Sequence, residues 1–150
     1  MKKSLPPPRR RKPAAPAAPE ASAAFPIVGI GASAGGLEAL EQFLARVPPG
    51  SGMAFVIVQH LDPTHKGILR ELLQRTTGMK VIQVKNRTQV RADCVYVIPP
   101  NKDMSILHGV LHLLAPASPR GLRLPIDFFF RALAQDQQER SVGVILSGMG

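Results

Sequence analysis

The sequence predicts a doubly wound α/β domain: a mostly parallel sheet with helices on both faces, Rossmann-like in plan, plus a small β-hairpin. Two observations carry this. Short apolar runs rich in β-branched residues alternate with helix-patterned segments. Those runs also lack the in–out alternation of a half-solvated strand, as strands covered on both faces do.

In chain order, Pro26–Gly31 (PIVGIG) is a short strand ending in glycines, and GGLEALEQFLARV has apolar residues at helical spacing, namely Leu37, Leu40, Phe43, Leu44 and Val47. Pro48-Pro49-Gly50 ends that helix, and MAFVIVQH, ending at His60, is a buried strand. Gly67 to Thr76 forms a second helix, VIQV a third strand, and CVYVIPP a fourth, stopped by its double proline. Asn101 to Leu114 alternates around His108-Gly109 as a hairpin. Pro125 to Gln138 starts on proline and keeps a periodic apolar face, and VGVILS is a last buried strand.

Charge separates a tail from this domain. Of 150 residues, 19 are Lys or Arg and 10 are Asp or Glu, a formal +9 that would suit a polyanion partner. Residues 1–24 hold six of those cations, six prolines and one acid, Glu20, and are expected to be a disordered basic tail. Pro13, Pro16 and Pro19 break any signal-peptide core. Residues 25–150 carry thirteen cations against nine acids, which is ordinary, and with no Trp and one Tyr no specific nucleic-acid platform is expected. No apolar stretch approaches the ~18–20 residues of a membrane span. A single cysteine, Cys94, excludes an internal disulfide and fits a reducing cytoplasm.

Parallel sheets of this kind place ligands beyond the carboxyl ends of their strands. Those ends deliver Gly29-Ile30-Gly31-Ala32-Ser33-Ala34-Gly35-Gly36, then Gln59-His60-Leu61-Asp62, then Ser147-Gly148-Met149-Gly150. Gly31 to Gly35 fits G-x-S-x-G between a strand and a helix, a turn that exposes a serine hydroxyl. Ser33 is thus a candidate nucleophile, His60 a candidate base if the two strands are neighbours, and the amides near Ala34, Gly35 and Gly36 candidate oxyanion donors. The same residues fit other readings. Gly29-x-Gly31-x-x-Ala34 matches a dinucleotide fingerprint with Asp62 as the ribose acid, and a catalytically idle docking scaffold would use neither. His65, His108 and His112 are taken as solvated or capped, Asp127 as a first-turn helix acid, and no metal site is inferred. No acid stands obviously placed to orient His60.

Taken together, IVGIGASAGGLEAL, FVIVQHLDPTHKGILRELLQRTT, ADCVYVIPPNKDMSI, PIDFFFRALA and VGVILSGMG resemble, in order and spacing, the chemotaxis-type protein-glutamate methylesterase domain from about Phe25 to Gly150. The resemblance implies a cytoplasmic serine hydrolase without a cofactor that removes methyl esters from glutamate side chains of chemoreceptors, with a related glutamine deamidase activity. Ser33 matches its nucleophile and His60 its base, while Met149 lies in the segment bordering its site. The family's aspartate would fall two positions beyond Gly150. The chain is therefore expected to be incomplete at its carboxyl end, crippled without that acid and left with uncovered sheet surface. Ala34, where stand-alone members have threonine, resembles the branch with a methyltransferase-like domain downstream. The basic tail stands where many members carry a receiver domain, so regulation in cis by a receiver is not expected.

Overall fold

A computed structural model describes residues 3–4, 24–33, 35–59, 68–116 and 124–147. Within it, β1 (Ile27–Ala32), β2 (Ala54–Gln59), β3 (Lys80–Gln83), β5 (Cys94–Val97) and β8 (Ser141–Leu146) form a five-stranded parallel sheet in the order β3-β5-β2-β1-β8. Every residue of β1 and β2 is buried, as their apolar runs require, and so is Gln59, which closes β2. The register is flush: Ala32 lies opposite Gln59 on one side and Leu146 on the other, so three strands end at one level.

The two faces are covered differently. Helices α1 (Leu37–Ala45) and α2 (Leu69–Gln74) cover one, where Leu40, Leu44, Leu69 and Leu73 pack on Val28, Ile30, Phe55, Ile57 and Val95. On the other, α3 (Pro125–Gln137) lays Phe129 and Leu133 against Ile27, Val56 and Val58. Beside α3 sits a second sheet, antiparallel, of β4 (Thr88–Gln89), β7 (Val110–Leu114) and β6 (Asp103–Leu107), which contributes Met104, Ile106 and Leu111 to the same core. The expected hairpin is thus the larger part of a three-stranded sheet. The two-residue β4 is too short to leave a pattern in sequence. Its place is held by Tyr96, whose hydroxyl donates to the Gln89 carbonyl (3.3 Å) and accepts the Arg91 N–H (2.7 Å), and whose pKa burial pushes up to about 12.

One expectation needs correction. The last strand, expected to be buried, is half exposed: β8 borders only β1 among the described residues, and Val142 and Ile145 are 43% and 65% exposed. An apolar run shows that a strand can be covered on both faces, but not whether it stands inside the sheet or at its edge. The tail lies outside the described residues except for Lys3, Ser4 and Ala24, which are exposed. No described helix is long and apolar enough to cross a membrane.

An acid not singled out from sequence joins the layers. The Asp136 carboxylate near the end of α3 accepts the N–H groups of His108 (2.6 Å) and Gly109 (3.0 Å) at the β6–β7 turn, and the side-chain amide of Gln137 (2.7 Å). Both turn residues have positive φ, 52° and 73°, as a two-residue hairpin turn requires. Partial burial pushes the Asp136 pKa up. The donors at Gly109, Gln137 and His108 outweigh it and hold the carboxyl below its ordinary 3.8. A depressed folded-state pKa means that the carboxylate's stabilisation is complete above that ordinary value and is lost as pH falls through the lower folded one. Asp136→Asn is therefore expected to lower the melting temperature at pH 7, with the gap to wild type closing below about pH 4. Thermal melts across pH check this, and a gap unchanged at pH 3 would contradict it.

Candidate active site

The site grows out of the flush end of β1, β2 and β8. Ser33 follows β1 directly and is exposed, although the six residues before it are all buried. Its carbonyl accepts the Gly36 N–H at 2.8 Å, closing a four-residue turn, and the Gly36 carbonyl accepts the Leu40 N–H at 2.9 Å, starting α1. Gly36 is needed there. A Cβ at that position would lie 3.0 Å from the Ser33 carbonyl oxygen and 3.0 Å from the Ala32 Cβ. Chain direction thus changes from strand to helix within four residues, leaving the serine at the sheet's carboxyl edge.

Gly36's N–H, one of the expected oxyanion donors, is committed to this turn. Gly36 therefore shapes the turn that carries Ser33. Gly35 is exposed; Ala34 lies outside the described residues.

Strands β1 and β2 are neighbours, the condition on which the pairing of Ser33 with His60 depends. His60, Asp62, His65 and Met149 lie outside the described residues. Ser147, which leads to the Gly148-Met149-Gly150 segment, is exposed at the end of β8, one strand from Ser33. His108 and His112 do not share a helix face: the first is exposed at the hairpin turn, the second lies in β7 opposite Ser105. Asp127 lies in the first turn of α3, as expected. Asp93 accepts the Gly52 N–H at 2.9 Å, and Asp136 is occupied at the hairpin.

Sequence reasoning passed over Gln59. It is 6% exposed, and its Nε2 donates to the Ser33 carbonyl at 3.2 Å. A polar residue closing the otherwise apolar run AFVIVQ was the available signal.

The glycines of the dinucleotide reading have another use. Gly29 and Gly31 lie inside β1 rather than in the turn, on the face that α3 covers. A Cβ at Gly29 would come 3.0 Å from Leu133 Cδ2 and 3.1 Å from Phe130 Cε1. At Gly31 it would come 2.6 Å from Ile126 Cγ2 and 3.0 Å from Ile145 Cδ1. Side chains of the protein fill the space above them, so the stripe admits a helix, not a pyrophosphate.

The fold is thus an α/β one with an exposed serine on the turn from strand to helix, at the carboxyl edge of a parallel sheet. The profile of one such family, described as CheB methylesterase, matches residues 28–150, and the chain belongs to that family. The chain is 35% identical over 138 residues to a protein-glutamate methylesterase/protein-glutamine glutaminase of Pseudomonas fluorescens, covering 91% of this chain and 41% of that protein. It is 29% identical over 146 residues to the protein-glutamate methylesterase FrzG of Myxococcus xanthus, covering 97% and 42%. The CheB methylesterase catalytic domain of Thermotoga maritima superposes with a TM-score of 0.72 at 25% identity, over 84% of this chain and 69% of that one. The chain thus spans about two fifths of these curated relatives.

The contact between Gly31 and α3 is testable through coupling. The Ile126 methyl branches from a Cβ that a helix holds stiffly, so Gly31→Ala is expected to cost about 1–3 kcal/mol. Adding Ile126→Ala should recover part of that loss, leaving a coupling of at least about 0.5 kcal/mol in denaturant melts. Strict additivity would show that Ile126 does not limit the position.

Proposed function

We propose that residues 25–150 form the catalytic part of a protein-glutamate methylesterase, with residues 1–24 a basic tail outside it. Ser33 attacks the γ-glutamyl methyl ester carbonyl, His60 takes the serine proton and returns it to the departing methoxide, and the amides at Ala34 and Gly35 hold the oxyanion. Water, activated by the same base, then frees the acyl-enzyme, so the balance is ester plus water giving carboxylate plus methanol. With an amide in place of the ester, the same steps release ammonia from glutamine, in keeping with the double names of the relatives.

The observation that carries this reading is the Ser33 elbow at the end of β1, in a chain of this family. The substrate is a methylated chemoreceptor or a protein like it, whose glutamates stand on exposed helices that can present an ester to a serine at a sheet edge. Met149 borders the site. An aspartate orients His60, and a methyltransferase-like domain is a partner of the esterase. The setting is cytoplasmic, and the chemistry needs no cofactor.

Methanol release from methylated receptor signalling fragments, measured with the full-length protein, tests the reading. Ser33→Ala and His60→Ala are each expected to lower turnover by about 10⁴-fold or more with substrate binding retained. Undiminished release from Ser33→Ala would refute it. Receptor binding without any release from the wild type would favour the docking scaffold.

A further inference from the structure

We propose that Gln59 is the positioning residue for the Ser33 hydroxyl, which rests on Ser33 being the nucleophile. Gln59 is the only polar residue of β2 and is almost completely buried. Ile57 and Phe55, two and four positions earlier and so on the same face, belong to the apolar cluster with Leu40 and Leu44. The sheet ladder uses only main-chain groups, so nothing in the pairing of β2 calls for an amide here. A methionine or leucine would be buried there without the cost of desolvating a polar group. What the amide adds is a donor: Nε2 reaches the Ser33 carbonyl at 3.2 Å.

That carbonyl also accepts the Gly36 N–H at 2.8 Å. A carbonyl oxygen has two lone pairs, and here both have donors. The peptide leaving Ser33 cannot turn without breaking the turn to α1 and leaving the buried Gln59 donor unpaired, which is costly for a group out of reach of water. On its other side Ser33 is tied to Ala32, fixed in register between Gln59 and Leu146. Held from both sides, the Ser33 Cα–Cβ bond has one direction, and only χ1 remains to aim the hydroxyl. Gln59 does not touch the reacting atoms. It acts through the serine's own main chain, and because it belongs to the strand that leads to His60, it ties the serine to that strand by more than the ladder.

The test compares Gln59→Met, Gln59→Glu, Gln137→Met and Ser33→Ala in the full-length protein. It measures methanol release from methylated receptor fragments and modification of Ser33 by a fluorophosphonate probe, read on the peptide by mass spectrometry. Displacement of a reacting group on the scale of 1 Å costs up to about 100-fold. Gln59→Met is therefore expected to lower kcat and the Ser33 modification rate together by about 10- to 100-fold, with KM changed less than about twofold. Gln137 is a second buried glutamine, 9% exposed, whose amide serves Asp136 far along the chain. Gln137→Met should lower the melting temperature and leave both rates unchanged.

Gln59→Glu keeps the size. Its protonated carboxyl can donate to the Ser33 carbonyl and its ionised form cannot, so its kcat relative to wild type should fall as pH rises. Wild-type rates in Gln59→Met, or losses matching its unfolded fraction, would overturn the proposal. Should Gln59→Met fail to fold, a pH-independent ratio for Gln59→Glu would overturn it as well. Retained methanol release in Ser33→Ala would instead overturn the nucleophile assignment.

Discussion

Flush pairing of β1 with β2 and β8 is the constraint on which the rest depends. Parallel strands need long crossovers, and their connections leave the ends free to stagger. Here Ala32, Gln59 and Leu146 stand level. Three positions far apart in the chain are thereby delivered to one edge: Ser33, Gln59 and Ser147. A slip of one residue in β2 would carry Gln59 to the opposite face and remove its reach to Ser33. Site geometry is therefore set by backbone hydrogen bonding within the sheet before any side chain acts.

Keeping that register puts an unusual demand on the face beneath α3. The helix lies close enough to β1 that Gly29 and Gly31 have no room for a side chain, and Gly143 on β8 faces Phe130 in the same way, a Cβ there falling 3.2 Å from its ring. A glycine stripe weakens a strand in isolation. Here the helix that occupies it compensates, anchored at its far end by Asp136 on the hairpin turn. The antiparallel sheet and the parallel sheet thus both pack on one helix and share one apolar core.

Much of this was legible in the amino-acid order. Unalternating runs gave β1, β2 and β5, periodic apolar residues gave α1 and α3, and His108-Gly109 marked its hairpin because few other pairs suit two positive φ angles. The strand–turn–helix context of Ser33 was equally legible, being local. What escaped was non-local. Gly29 and Gly31 fit a nucleotide fingerprint by spacing alone, and only α3, about a hundred residues later, reveals that they are clearance for a helix. The edge position of β8 depends on which strand it joins, and Gly36's N–H could be assigned only once its acceptor was located. Asp136 and Gln59 were overlooked for the same reason: each is an ordinary polar residue whose partners are main-chain atoms elsewhere, and main-chain atoms carry no sequence signature.

The strand order also dictates a sequence of events during synthesis. Proceeding from the amino end, β1, β2, β3 and β5 can pair as they emerge, all growing the sheet to one side of β1. The other side of β1 waits for β8, whose residues lie more than a hundred positions further on. α3, which covers the glycine stripe, emerges only just before it. A nascent chain therefore carries the serine strand with one main-chain edge unpaired until the ribosome has made nearly all of the residues described. Closing so large a loop is slow for reasons of chain entropy. The strand at the heart of the site is thus among the first made and the last enclosed, and this is the interval in which a chaperone would have something to hold.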